Sequence, residues 1–65
     1  MQEVYVRGTK EFKKMSKWIA ENDRLVLVKR TNSLTVYRLD NTRVDVVYDG
    51  SQVVFIFVKV NFYAN

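Results

Sequence analysis

Cysteine, histidine and proline are all absent from this chain of 65 residues, and only two glycines occur in it. Without Cys the chain can form neither a disulfide nor a thiolate metal site, and without His it lacks the commonest metal ligand. Nucleophilic catalysis would then need a serine with a lysine base, or paired carboxylates. Ser33 and Ser51 lie in turn-forming segments, where serine is common for structural reasons. The sequence therefore predicts a protein that is not an enzyme, with no metal, no cofactor and no evident small-molecule substrate.

Segments that direct a chain into or across a membrane are also missing. The first residues, MQEVYVRGTK, lack the basic region followed by an apolar run that marks a signal peptide. No apolar run approaches the roughly 20 residues that a membrane span needs. The absence of Cys fits a reducing compartment. We expect a soluble, cytoplasmic protein.

The length of 65 residues and the hydrophobic fraction of 48% predict one small folded domain, residues 1–65. A domain of this size buries only about 60% of the surface that its unfolded chain exposes, so its stability as a monomer is marginal. Small domains usually add disulfides, a metal or a partner chain. Because the composition excludes thiolate and histidine chemistry, the sequence favours association with another chain.

A short strand and one helix are predicted in the first third of the chain. Gln2–Arg7 alternates like a strand and Gly8 ends it. The hydroxyl of Thr9 is suited to accept a hydrogen bond from a free amide in a first helical turn. From Lys10 to Asn22 the period becomes helical, and one apolar face contains Phe12, Met15, Trp18 and Ile19.

Four segments rich in Val, Leu, Tyr and Phe follow the helix, and each connection between them contains turn-forming residues. The predicted strands are Leu25–Arg30, Leu34–Leu39, Arg43–Tyr48 and Val53–Tyr63. Short connections favour antiparallel hairpins, and Asp49-Gly50 is the strongest hairpin signal. The predicted fold class is α+β, a single helix packed on a mainly antiparallel β-meander sheet in the order β-α-β-β-β-β, with the first strand at an edge.

Both alternating rows of the last strand begin apolar, although one helix covers only one face of a sheet. We expect Trp18 and Ile56 to be buried where helix and sheet converge. The row predicted to meet the helix contains Val54, Ile56, Val58, Val60 and Phe62, together with Val44, Val46 and Tyr48 of the preceding strand.

The other face of the sheet needs a cover of its own. Three interpretations remain open: the sheet curls into a barrel, the face is a protein interface, or its aromatics stack on nucleic acid bases. Phe55 and Phe57 have the F-x-F spacing of base-stacking sheets but not their glycine-bearing signature. The predicted interface residues are Phe55, Phe57, Val47, Val53 and Tyr37, with Arg43, Asp45 and Lys59 around them. Asp45 is expected to be a solvated charge that faces Arg43 or Lys59.

The net charge of +4 is unevenly distributed. Residues 1–30 contain eight Lys and Arg against four acids, whereas residues 31–65 contain three of each. A basic helix face can grip phosphates, rest on an anionic membrane, or simply be the solvated side of the helix. The candidate nucleic-acid contacts are Lys10, Lys13, Lys14, Lys17 and Arg30.

The sequence therefore predicts a small non-catalytic binding module. It would act through self-association, as a homodimer formed by a sheet face or edge, or by docking to another protein. A nucleic-acid-binding accessory protein that uses the basic helix face and the sheet aromatics is the alternative. By size and composition alone, the chain looks like the small accessory proteins of bacteria and phages.

Overall fold

The computed structural model describes residues 1–60 and contains one helix and five strands. The predicted α+β order is confirmed, as is the antiparallel arrangement of the sheet. The boundaries coincide with the predicted ones or differ by one residue, except that the last strand ends at Lys59; its predicted end, Tyr63, lies outside the described residues. The elements are β1 (Gln2–Val6), α1 (Lys10–Glu21), β2 (Val26–Arg30), β3 (Leu34–Leu39), β4 (Thr42–Asp49) and β5 (Gln52–Lys59).

Helix α1 begins where the sequence predicted. The Thr9 hydroxyl accepts from the Phe12 amide at 3.3 Å and donates to the Val6 carbonyl at 2.7 Å, so it joins the end of β1 to the first helical turn. The helix ends at Asn22, whose amide donates to the Ile19 carbonyl. Polar caps at both ends therefore limit the helix to 12 residues.

The last two hairpins have two-residue loops. Asp49 pairs with Gln52 around Gly50 and Ser51, and Leu39 pairs with Thr42. The φ angles of Asp40 and Gly50 are 53° and 60°, as the favoured tight hairpin turns require. These loops fix the register of β3, β4 and β5.

The strand order β1-β5-β4-β3-β2 makes β4 the central strand and leaves β1 and β2 at the edges. The predicted edge position of the first strand is confirmed. Among residues 1–60 these two edge strands do not pair with each other, so the sheet is open and the barrel interpretation is wrong. One face of this sheet is covered by α1, and we call the opposite one the open face.

The core lies between α1 and the centre of the sheet. Its fully buried members are Val44 and Val46 of β4 and Val53 and Phe55 of β5. The partly buried side chains packed against them include Phe12, Met15, Ile19, Tyr5, Tyr37, Tyr48 and Phe57. None of the helix residues is fully buried, so α1 packs shallowly on the surface of the sheet.

The predicted division of β5 between the two faces is wrong. Directly opposed residues of an antiparallel pair lie on the same face, and Val46 is opposite Phe55 while Val44 is opposite Phe57. Because the loop between β4 and β5 holds two residues, every even-numbered residue of β4 faces an odd-numbered residue of β5. Phe55 and Phe57 therefore join Val44 and Val46 beneath the helix. The row that was predicted there lies instead on the open face, as far as Val58; its last member, Phe62, is outside the described residues.

The burial predicted for Trp18 and Ile56 is wrong, for a different structural reason at each residue. Ile56 is opposite Asp45 on the open face and is only half-buried. Trp18 keeps 37% of its surface exposed, because it lies at the margin of the helix stripe and not at its centre. Phe55, with 1% of its surface exposed, occupies the central position instead.

Candidate interaction surfaces

The open face of the sheet is largely aliphatic. The alternation of the strands and their register place on it Val4 and Val6 of β1, Val54, Ile56 and Val58 of β5, Val47 of β4, Leu34 and Val36 of β3, and Val26 of β2. The side chains of the three inner strands are half-buried by their neighbours, while Val4 and Val6 are 53% and 45% exposed. Among residues 1–60, no other element covers this face.

A charged pair lies at the centre of the open face. Asp45 is near the middle of the central strand, between Val36 on one side and Ile56 on the other. The Arg43 Nε atom lies 3.2 Å from Asp45 Oδ1, and the two side chains are 44% and 17% exposed. The predicted approach of Asp45 to Arg43 is therefore confirmed, but its prediction as a solvated charge is wrong.

The carboxylate of Asp45 is incompletely satisfied within the described residues. Its Oδ1 atom is buried and accepts no hydrogen bond, because the approach of Arg43 Nε has the distance but not the direction of one. A buried acceptor without a hydrogen bond is costly.

The predicted interface residues are divided between the two faces. Val53 and Phe55 are fully buried in the core, and Phe57 and Tyr37 pack against it from the same side. They therefore form no part of the open face, and Phe55 is not accessible to a base. Val47 does lie on the open face, opposite Leu34 and Val54. On β5, the apolar side chains of the open face are Val54, Ile56 and Val58, where the sequence had predicted Phe55 and Phe57.

Edge strand β2 is a second apolar surface. Val26, Leu27 and Val28 are 47%, 49% and 61% exposed, and the register with β3 shifts between Leu27 and Lys29. Bulges and cations are common protections of edge strands against pairing with another chain. The shift, together with Lys29 and Arg30 at the end of the strand, gives β2 both protections.

A groove of about 390 Å³ separates α1 from the β1 and β5 side of the sheet. Its lining residues are Tyr5, Glu11, Lys14, Met15, Trp18 and Phe57. The groove exists because α1 packs shallowly on the sheet. In the sequence, only the position of Trp18 beside the main apolar stripe indicated such a groove. The groove is mostly apolar, with one acid and one base at its rim.

Tyr5, which lines this groove, is held by two neighbours. Its ring meets that of Phe55 edge to face, with centroids 5.1 Å apart, and its hydroxyl donates to Glu3 Oε2 at 2.9 Å. The hydrogen bond to Glu3, with smaller contributions from burial and from the charge of the carboxylate, raises the pKa of Tyr5 above its ordinary value. Deprotonation of Tyr5 would therefore remove its hydrogen bond to Glu3.

The basic face of α1 is exposed. Lys10, Lys13, Lys14 and Lys17 all face solvent, and Lys17 forms an exposed ion pair with Glu21 at 3.9 Å. Arg30 lies on β2, where its Nη2 atom is 3.5 Å from the Tyr37 hydroxyl. The four helix lysines thus form one solvated surface, and Arg30 belongs to a different element.

The described residues contain no cluster of three or more carboxylates placed to hold a metal ion. They also include no helix with the length and apolar character that crossing a membrane requires. Comparisons with protein-family models, curated proteins and solved structures find no significant match to this chain.

Proposed function

We propose that this protein is a non-catalytic interaction module that associates with a second copy of itself through the open face of its sheet. The observation that carries the proposal is the uncovered aliphatic surface formed by all five strands. Large exposed apolar patches on small proteins mark interaction sites. The cytoplasmic location expected from the sequence stays a prediction.

The size of the open face fits a weak dimer. Five strands about 4.8 Å apart and roughly six residues long give a face of about 24 by 20 Å, or roughly 480 Å². Two copies would bury roughly 1,000 Å², which is near the lower limit for specific interfaces. We expect a dissociation constant on the order of micromolar or weaker.

The face suits a second copy better than the edge does. Two sheets that pack face to face place their apolar inner rows against each other, as in a β-sandwich. Pairing of β2 with another β2 strand would have to overcome the register shift near Val28 and the cations Lys29 and Arg30. The three inner strands of the open face keep their register without a shift, and the charged side chains on this face include Arg43, Asp45, Arg38 and Lys29.

Sedimentation equilibrium over a range from about 10 µM to about 1 mM tests this proposal. The double variant Val36→Thr, Ile56→Thr keeps β-branched side chains but adds hydroxyls on both sides of Asp45. We expect it to weaken the dimer by about tenfold or more, because it removes apolar surface from the interface and adds hydroxyls that must lose their water on association. The matched control Leu27→Thr, Val28→Thr alters two exposed positions of edge strand β2 that are not among the open-face residues, and it should leave the dimer unchanged.

A wild type that remains monomeric at millimolar concentration would rule out self-association through this face. Equal weakening by the control pair would instead place the contact at the edge of the sheet. Circular dichroism of each variant establishes that the fold is retained.

Nucleic-acid binding is the alternative, and the four exposed lysines of α1 favour it. Only the helix face supports this function, since the buried Phe55 offers no stacking surface. The triple variant Lys13→Gln, Lys14→Gln, Lys17→Gln should then lose retention on a DNA or RNA column at low salt, because phosphate contacts release counterions. Absence of retention of the wild type at low salt would exclude this alternative.

A further inference from the structure

We propose that the dimer has a twofold axis crossing β4 between Arg43 and Asp45, so that each of these side chains pairs with the other one in the second copy. This inference rests on the proposed self-association and adds its geometry. It assigns the centre of the interface to two reciprocal ion pairs, with Arg38 and Val58 beside Arg43 and with Val36 and Ile56 beside Asp45.

The position of the pair in the fold supports this axis. β4 is the central strand of five, and Asp45 is near the midpoint of Thr42–Asp49. A twofold axis through a face-to-face contact lies between the two sheets, and residues at equal distances on either side of it face each other. An axis that crosses the middle of β4 therefore superimposes the two open faces with the greatest overlap.

Charge decides where along β4 the axis crosses. An axis at Asp45 would bring two carboxylates together, and an axis at Arg43 would bring two guanidinium groups together. Arg43 and Asp45 are two residues apart on the same face, which is roughly 6.7 Å along the strand. An axis midway between them places Arg43 over Asp45 of the second copy, and the reverse, with opposite charges facing in both pairs.

The exposure of the pair agrees with this arrangement. Arg43 remains 44% exposed and has further donors, and Asp45 keeps 17% of its side chain exposed towards the open face. Packed sheets are about 10 Å apart, a gap that an arginine side chain can span. Arg38, directly opposite Arg43 on β3, adds positive charge on the side where Asp45 of the second copy would arrive.

Charge reversal in trans provides the test. The variant Arg43→Asp places only acids at the two positions, and Asp45→Arg places only bases there. Each should dimerise about tenfold or more weakly than the wild type, because like charges then meet at the centre. An equimolar mixture of the two variants should form a heterodimer at least as readily as the wild type forms its dimer.

The mixture separates contacts between copies from contacts within one chain. Neither variant can form the Arg43–Asp45 pair internally, so recovery in the mixture can come only from the facing copy. The double variant Arg43→Asp, Asp45→Arg should recover the homodimer, since the proposed axis keeps opposite charges facing. Should a reversal variant fail to fold, Arg43→Gln and Asp45→Asn with their double variant give a thermodynamic cycle on the dissociation constant, in which the proposal requires coupling of about threefold or more.

The failures are distinguishable. A monomeric wild type overturns the proposed self-association itself. A wild type that dimerises while both reversal variants dimerise equally well overturns this geometry alone, and so does a mixture that associates no better than its components. Additive effects in the cycle would contradict it in the same way.

Discussion

At the scale of single residues, the difference in burial between two large aromatic side chains predicts that they contribute unequally to stability. Phe55 is 1% exposed, and its ring contacts that of Tyr5, whereas Trp18 is 37% exposed at the rim of the groove. We expect Phe55→Ala to cost about 3–5 kcal/mol, which would unfold a domain of this size. Trp18→Ala should cost markedly less, because much of its surface is already in water.

Urea denaturation followed by circular dichroism compares the two variants. The order of their stabilities decides the matter: a Trp18→Ala variant that is less stable than Phe55→Ala would contradict the placement of the core.

The pair formed by Tyr5 and Glu3 predicts a pH effect on stability. The raised pKa of Tyr5 means that the folded chain keeps this proton in a range where the unfolded chain, with an ordinary value near 10, has lost it. The folded state then binds more protons, so the free energy of unfolding falls as the pH rises. The contribution is complete below about pH 10 and is lost as the pH passes through the raised pKa.

The variant Tyr5→Phe, which keeps the ring against Phe55, isolates this effect. Between about pH 9 and pH 11, its urea midpoint should decline less steeply than that of the wild type. Other titrating groups contribute to both proteins and cancel in the comparison. Parallel declines would show that the hydrogen bond to Glu3 does not shift the titration of Tyr5.

At the scale of elements, the β4–β5 hairpin controls which side chains meet the helix. Gly50 in its loop has a φ angle of 60°, and no atom outside its immediate neighbours lies within 4 Å of the position that a Cβ would occupy. Strain at this position therefore comes from the backbone alone. We expect Gly50→Ala to destabilise the domain by about 1–2 kcal/mol.

Thermal or urea unfolding measures this cost, and Ser51→Ala is the control at the next loop position. A Gly50→Ala variant as stable as the wild type would show that the loop does not need the left-handed conformation.

The β4–β5 hairpin shows which features of the helix and strands could be predicted from the sequence and which could not. The helix start at Thr9 and the turn at Gly50 were predictable, because a capping hydroxyl and a glycine act on their immediate neighbours. The register was implicit in the two-residue loop, but the prediction placed the even-numbered residues of both strands on one face, which requires an odd number of loop residues. A slip of one residue moves every side chain to the other face.

At the scale of the whole molecule, the sheet has one face that its own helix covers only in part. A helix of 12 residues is about 18 Å long, and edge strand β2 remains exposed beyond it. If the open face binds a second copy, mass action stabilises the folded state further as concentration rises. We expect the wild-type Tm at about 1 mM to exceed that at about 10 µM by roughly 4 °C or more.

Differential scanning calorimetry at several concentrations measures this shift. The Val36→Thr, Ile56→Thr variant should show a smaller dependence on concentration. A Tm of the wild type that is independent of concentration would contradict the link between association and stability.

The sequence by itself determined the types and order of the elements, the start of the helix and the positions of the turns. These features depend on side-chain period, capping and turn chemistry, which act over a few residues. The composition also indicated a face without a cover, because one short helix cannot shield both sides of a sheet.

Only the tertiary structure decided which residues occupy that face. Both rows of β5 begin apolar, so hydrophobicity could not distinguish them, and the register with β4 placed Phe55 in the core and Ile56 outside. The central position of Asp45 in the sheet likewise depends on the order of the strands, whereas its approach to Arg43, two residues away on the same strand, was predictable. Contacts between distant segments set these features, because a strand presents either row to the helix until its neighbour fixes the register.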